Sequence, residues 1–258
     1  MIVLVIILVL VCLGCIFYVK ALRARLFKLS QSDRLKTAFI KGLSREIRTQ
    51  LHSVSGLAEV ISREDLYLSK GEKKDISNQI KYNARLIATV LDEVAVLSGD
   101  DSEHGHQLQD ERFSPNILCQ RCLDANRSYA HEGVRLVFSH DVDNNFFVSA
   151  DRHIVELILN KLVACACKFT EQGEIKMGCR RGDPSHLITF YVQDTGGGIP
   201  EDRKNSLFKW FDDPDVAAEP TEFDLSVAQR LASKLGGYLR FDETWQQGTR
   251  LEFTLPVR

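Results

Sequence analysis

The chain has 258 residues, 44% of them hydrophobic and 26% charged, with a formal net charge of −2. These are ordinary globular values, which exclude disordered, collagen-like and low-complexity classes, and the charge balance argues against a general nucleic-acid binder. Seven cysteines are too sparse for a disulfide framework and point to a reducing compartment.

Met1 to Val19 carries no charged side chain. Such a run is long enough to cross a bilayer as a helix, which needs about 20 apolar residues. Lys20, Arg23, Arg25 and Lys28 follow it, so the positive-inside rule puts the C-terminal side in the cytoplasm. The expectation is a single pass through the inner or plasma membrane (1–19), a juxtamembrane segment (20–32) and a cytoplasmic soluble part. No basic residue precedes the apolar run, which argues against a cleaved signal peptide. Cys12 and Cys15 read as small apolar residues within the span. No sensing domain is expected before the span.

Next, Ile40, Leu43, Ile47, Leu51, Val54, Ala58 and Ile61 form the stripe of an amphipathic helix. Leu68 to Gly71 reads as a break. A second stripe runs through Ile76, Ile80, Ala84, Ile87, Leu91, Val94 and Leu97. Two long helices with a short connection make an antiparallel hairpin over 33–99. One hairpin cannot enclose its own apolar face, so a homodimer joined as a four-helix bundle is expected.

Residues 100–110 are polar and read as a linker, with His104 and His106 as solvated loop histidines. From 111 to 258 the pattern is mixed. Helices are expected over Pro115–Ala130, from Ile154 to Ala166, and over Phe223–Leu235, the last ended by Gly236-Gly237. Strands are expected at Val134–Ser139, Phe146–Ser149, Leu187–Gln193 and Leu251–Leu255. The fold class is α+β, with a helical hairpin followed by an α/β sandwich in which helices cover one sheet. Cys119 and Cys122 form a C-x-x-C without a second pair, so buried apolar cysteines are favoured over a metal or redox site.

The chemistry-bearing residues come as an ordered set. Ser44-Arg45-Glu46-Ile47-Arg48-Thr49-Gln50-Leu51 lies on the first hairpin helix. Lys168-Phe169-Thr170 ends a later helix. Asp194-Thr195-Gly196-Gly197-Gly198 follows a strand. Phe208 and Phe211, Leu235-Gly236-Gly237 and Gly248-Thr249 complete the series. In this order and at these intervals the set resembles the sensor histidine kinases of two-component systems, over about residues 33 to 258.

The resemblance implies a dimerisation and phosphoacceptor hairpin followed by a Bergerat-type ATP-binding domain. It implies that Asp194 accepts the adenine amino group, that Gly196 and Gly198 admit the nucleotide close to the backbone, that Lys168 lies near the phosphates, and that Thr249 supports the base pocket. It also implies a response regulator or a partner histidine kinase as the protein partner. With the chain ending just after the last strand, no fused receiver domain is expected.

The departures from the family pattern matter more. The family's phosphoacceptor histidine is Arg45 here. Its guanidinium stays protonated and offers no free lone pair. The family asparagine that holds Mg²⁺ is Cys165, and a thiol is a poor ligand for a hard cation. A second family asparagine, one turn earlier, is Lys161, while Asn160 beside it points away. The glycine-rich lid is replaced by Pro220-Thr221-Glu222-Phe223-Asp224-Leu225, whose Glu222 and Asp224 would repel phosphate. ATP is therefore expected to bind weakly and Mg²⁺ poorly, and autophosphorylation to be lost.

What survives in the hairpin is Glu46 with Thr49. In related kinases an acidic residue and a Thr three positions on assist dephosphorylation of the regulator. The bland alternative is that both are ordinary helix-surface residues. Two function classes stand: a signalling enzyme, acting as a regulator phosphatase or as a kinase with an unusual acceptor such as His52, and a pseudokinase scaffold.

Overall fold

The computed structural model describes residues 18, 20, 40–63, 65–98, 108–182, 186–200, 204, 208 and 220–257. Among them no helix is long and apolar enough to cross a membrane. The candidate span and the juxtamembrane segment lie outside the described residues apart from Tyr18 and Lys20, as do His104, His106 and Phe211.

The hairpin is present. Its first helix, α1, covers residues 40–62, and α2 runs over Lys70–Ser98. Ser69 and Glu72 close α2 at its start as a capping box. The Ser69 hydroxyl accepts from the Glu72 N–H at 3.2 Å, and the Glu72 carboxylate accepts from the Ser69 N–H at 2.8 Å. The break predicted at Leu68 to Gly71 falls a few residues earlier, and Gly71 lies inside α2.

The C-terminal part is a two-layer sandwich. Five strands, β2 (Arg135–Phe138), β4 (Glu174–Arg181), β5 (Leu187–Asp194), β7 (Arg250–Pro256) and β6 (Tyr238–Phe241), lie side by side in the order β2-β4-β5-β7-β6. Only the β2–β4 pair is parallel. A two-stranded ribbon pairs β1 (Glu111–Phe113) with β3 (Val148–Ala150). Helices α3 (Pro115–Ala125), α4 (Arg152–Phe169) and α5 (Pro220–Lys234) pack on the five-stranded sheet.

The two-residue period of the strands sets this layering. Ile175 and Met177, Ile188 and Phe190, and Phe253 and Leu255 are buried with Ile154, Ile158, Leu162, Leu225 and Leu231 of the helices. The Phe190 and Phe253 rings stack at 6.0 Å across β5 and β7. The alternate positions are polar yet covered. Glu252, fully buried, takes Arg180 at 2.6 Å and Arg240 at 2.7 Å, and the Arg250 guanidinium lies 4.3 Å from the Tyr191 ring. Arginine stems thus shield the second face while their charges are paired.

Several expected boundaries shift. The helix expected over Pro115–Ala130 stops at Ala125 and continues as a 3₁₀ turn over Arg127–Tyr129. The strand expected at Phe146–Ser149 is Val148–Ala150. As expected, α5 ends at the glycine pair: Gly236 has φ +72°, and the Gly237 N–H returns to the Ala232 carbonyl at 2.9 Å. Cys119 and Cys122 are buried thiols of α3 that point into the core.

The apolar face of the hairpin, expected to need a second hairpin, is covered in part within the chain. Leu43, Val90 and Val96 belong to the same buried cluster as the core of the sandwich, and Ile47, Val94 and Leu97 pack against it. Ile40, Leu51 and Leu91 stay 62, 51 and 55% exposed. Part of the apolar face is therefore covered within the chain, and part is left open.

Candidate functional site

Asp194 ends β5 and is 2% exposed. Its Oδ1 accepts from the backbone N–H of Gly196 at 2.9 Å and of Thr249 at 3.3 Å. Among the described residues Oδ2 receives no hydrogen bond, so one carboxylate oxygen is fixed and the other is left for a donor. Burial raises the Asp194 carboxyl above its usual range, opposed by those two N–H groups. Thr249 serves twice, because its hydroxyl also accepts from the Ile199 N–H at 2.8 Å.

The glycines are needed by close approach. A Cβ on Gly196 would lie 2.5 Å from the Phe169 carbonyl. One on Gly248 would lie 2.5 Å from the Asp194 carbonyl and 2.6 Å from its Oδ1, at a φ of +148°. The Gly196 contact also carries the end of α4, and hence Lys168, up to the glycine loop. The Lys168 side chain is exposed there, with Nζ 5.9 Å from the Phe169 ring.

Beside Asp194 opens a cavity of about 760 Å³, lined by Gly196 to Pro200, Lys204, Glu243 and Trp245 to Gly248. The Trp245 indole N–H donates to the Asp194 carbonyl at 3.0 Å, which sets a flat apolar surface at the cavity wall. The sequence reading missed Trp245. Its signal was an aromatic residue just before Gly248-Thr249, on a turn closed by Asp242. Lys161, Cys165 and Lys168 do not line this cavity.

The other half of the expected site has a different composition. Cys165 is buried in α4, and burial, reinforced by Asp224 and Asp194, pushes its thiol up, so it stays protonated. Lys161, one turn earlier, lies 2.7 Å from Asp224 Oδ1 of α5 and 2.9 Å from Glu93 Oε1 of α2. Asp224 is therefore not a bare charge facing phosphate, as the sequence suggested. It is the partner of an ammonium, in the first turns of a helix. A protonated thiol and a paired ammonium do not fit a divalent cation, and no cluster of three or more His, Cys, Asp or Glu able to hold a metal occurs among the described residues.

On α1, Arg45 and His52 are exposed, while Glu46 turns toward the sandwich. The Thr49 hydroxyl donates to the Arg45 carbonyl at 3.0 Å. Burial first, then the nearby Asp224 and Glu93 charges, push the Glu46 carboxyl up to about 7 against the opposing Lys161 and Arg45. The folded protein thus holds this proton to near neutrality, whereas the unfolded chain releases it near 4.5. This carboxyl's stabilisation is complete below pH 4.5 and is lost as pH rises to 7. Glu46→Gln should therefore flatten the fall in stability between pH 5 and 8, by on the order of 2 kcal/mol. Denaturant midpoints at both pH values measure this, and parallel pH profiles for variant and wild type would contradict it.

A model of the histidine kinase-, DNA gyrase B- and HSP90-like ATPase family matches residues 150–258. The hybrid signal transduction protein dokA of Dictyostelium discoideum is 28% identical over 92% of this chain, which covers 14% of that protein. The sensory/regulatory protein RpfC of Xanthomonas campestris pv. campestris is 28% identical over 88% of the chain, covering 32% of its own length. The autoinducer 2 sensor kinase/phosphatase LuxQ of Vibrio cholerae is 27% identical over 88%, covering 27%. The chain thus spans less than a third of these relatives. In fold it is similar to full-length ShkA, solved in complex with AMPPNP, with a TM-score of 0.56 and 23% identity over 87% of this chain and 46% of that one. It is also similar to the Acinetobacter baumannii histidine kinase AdeS, with a TM-score of 0.53 and 19% identity over 82% of this chain and 96% of that one. Residues 150–258 are therefore a histidine kinase-like ATPase domain, and the chain that carries it behind a helical hairpin is similar over most of its length to sensory and hybrid signal transduction proteins.

Proposed function

We propose that this chain is a membrane-anchored signalling protein of the two-component type that binds nucleotide without transferring its phosphoryl group, and that it acts on a response regulator or a partner kinase as a dimeric scaffold. The observation that carries this reading is the Lys161 ammonium, paired with Glu93 and Asp224 where the family places an asparagine. Arg45 at the acceptor position supports it. Adenine would bind through the Asp194 carboxylate and Thr249, beside the glycine loop of Gly196 and Gly198, with Lys168 at the phosphate end. Among the described residues Mg²⁺ has no suitable donors there. The exposed Ile40, Leu51 and Leu91 supply an apolar face for a second hairpin. The charge-free run before Lys20 supports the anchor and the cytoplasmic placement.

The phosphatase reading draws on the kept Glu46 and Thr49. With α1 docked on the sandwich Glu46 is largely covered and Thr49 is tied to its own helix, which favours the scaffold. The test is to add the full chain to a phosphorylated response regulator of the same organism. A scaffold binds the regulator and leaves its phosphate lifetime unchanged. Faster decay that Thr49→Ala abolishes would instead establish the phosphatase.

A further inference from the structure

Lys161 stands in the middle of α4 among Ile158, Leu159, Leu162 and Val163, all fully buried, and its own side chain is 10% exposed. A lysine in such surroundings ordinarily loses its proton. Here burial is outweighed by Glu93, Asp224 and Glu46, and the ammonium is held firmly protonated. The carboxylates come from three different elements. Glu93, 0% exposed, belongs to α2 of the hairpin, Glu46 to α1, and Asp224 to the second turn of α5. The Glu46 and Glu93 Oε2 atoms are buried without a hydrogen bond among the described residues, and the Lys161 ammonium, 2.9 Å from Glu93 Oε1, is the cation that opposes the negative charge of the cluster.

The same face of α2 meets the sandwich at two further points. The Lys234 ammonium, in the last turn of α5, donates to the Val96 carbonyl at 2.5 Å. The Tyr82 and Tyr129 rings lie 4.7 Å apart at the opposite end of the contact. Val90 and Val96 are buried between them.

We infer that the Lys161 ammonium is an internal cation that clamps the ATPase domain onto the hairpin and fixes the start of α5 in the same contact, so that the docked arrangement forms without nucleotide or metal. Two family positions that lose their ligand chemistry, the asparagine at Lys161 and the lid residue at Asp224, thereby become partners of each other. Glu46 is covered by the same contact. Opening the clamp is therefore what would present the Glu46–Thr49 face of α1 to a partner. The inference rests on the family reading of Lys161 and Asp224 but not on any nucleotide being bound.

The test is hydrogen exchange on the full chain in detergent micelles, with neither nucleotide nor Mg²⁺ present. Lys161→Met should speed exchange of the α2 amides from Val90 to Leu97 and of the first turns of α5 by tenfold or more, while the β5 amides keep their protection. Glu93→Gln should speed the α2 amides without disturbing α5. The double variant should be no worse than Lys161→Met alone, because both substitutions break one interaction. Unchanged α2 exchange in both single variants would overturn the clamp. So would α2 protection in the wild type that appears only when Mg²⁺ and ATP are added. Should Lys161→Met lose β5 protection as well, Glu93→Gln alone decides. Because the readout is free of nucleotide and regulator, its failure is distinct from a failure to bind ATP or to engage a regulator.

Discussion

Restoring the acceptor by Arg45→His should leave the protein unlabelled by ATP and Mg²⁺, at least ~10³-fold below an active sensor kinase, since single preorganised charge-stabilising groups are worth about 10²–10³ each. Histidine would supply the lone pair that a guanidinium lacks. It would not supply a metal ligand at Cys165, whose thiol stays protonated, nor free Asp224 and Lys161 from each other. Repair cannot proceed by adding Lys161→Asn alone. Glu93 and Asp224 would then be left facing one another without a counter-charge, and breaking such a buried pair costs about 3–5 kcal/mol. Labelling by Arg45→His at the rate of an active relative would show that only the acceptor had been lost.

Gly248→Ala should abolish nucleotide binding, at least a hundredfold in affinity or about 2.7 kcal/mol. The new methyl would press on the Asp194 carbonyl and on Oδ1, the atom that fixes the acceptor, from a backbone φ of +148° that L side chains rarely adopt. Gly56→Ala, on α1 and away from the cavity lining, provides the control. No atom lies within 4 Å of a Cβ there, so affinity should change by less than about twofold. Titration with ATP in the absence of Mg²⁺, alongside circular dichroism to confirm folding, measures both. Equal affinities for the two variants would show that Asp194 is not the base contact.

The architecture was legible where periodicity is long. The apolar stripes gave both hairpin helices, and α4, β5, α5 and β7 followed from their spacing to within a few residues. Among the short strands, β2 and β3 were expected to within a few residues, but β1, with three residues, and β6, with four, were not. β4 does alternate through Ile175, Met177 and Cys179, but its lysine and arginines masked the pattern. Within the site, Asp194, Gly196 and Thr249 could be placed because the loops that carry them have a sequence signature. The ion cluster could not. Lys161 and Asp224 are 63 positions apart, and a charge on an amphipathic helix reads as solvent-facing until the partner element is known. Glu93 is the clearest case. It falls on the face of α2 that docks on the sandwich, beside Val90 and Val96, and not on the stripe counted from apolar residues alone. Asp224 differs from its expected role for the same reason, since it counts as a repulsive charge only while Lys161 is absent.

The proposed loss of phosphotransfer is tested most directly on the wild-type full chain, incubated with γ-labelled ATP and Mg²⁺ and followed by acid-labile and acid-stable label on the protein. The expected result is no incorporation above background over hours, with nucleotide still bound. Incorporation at the rate of an active sensor kinase, on His52 or any other residue, would contradict it.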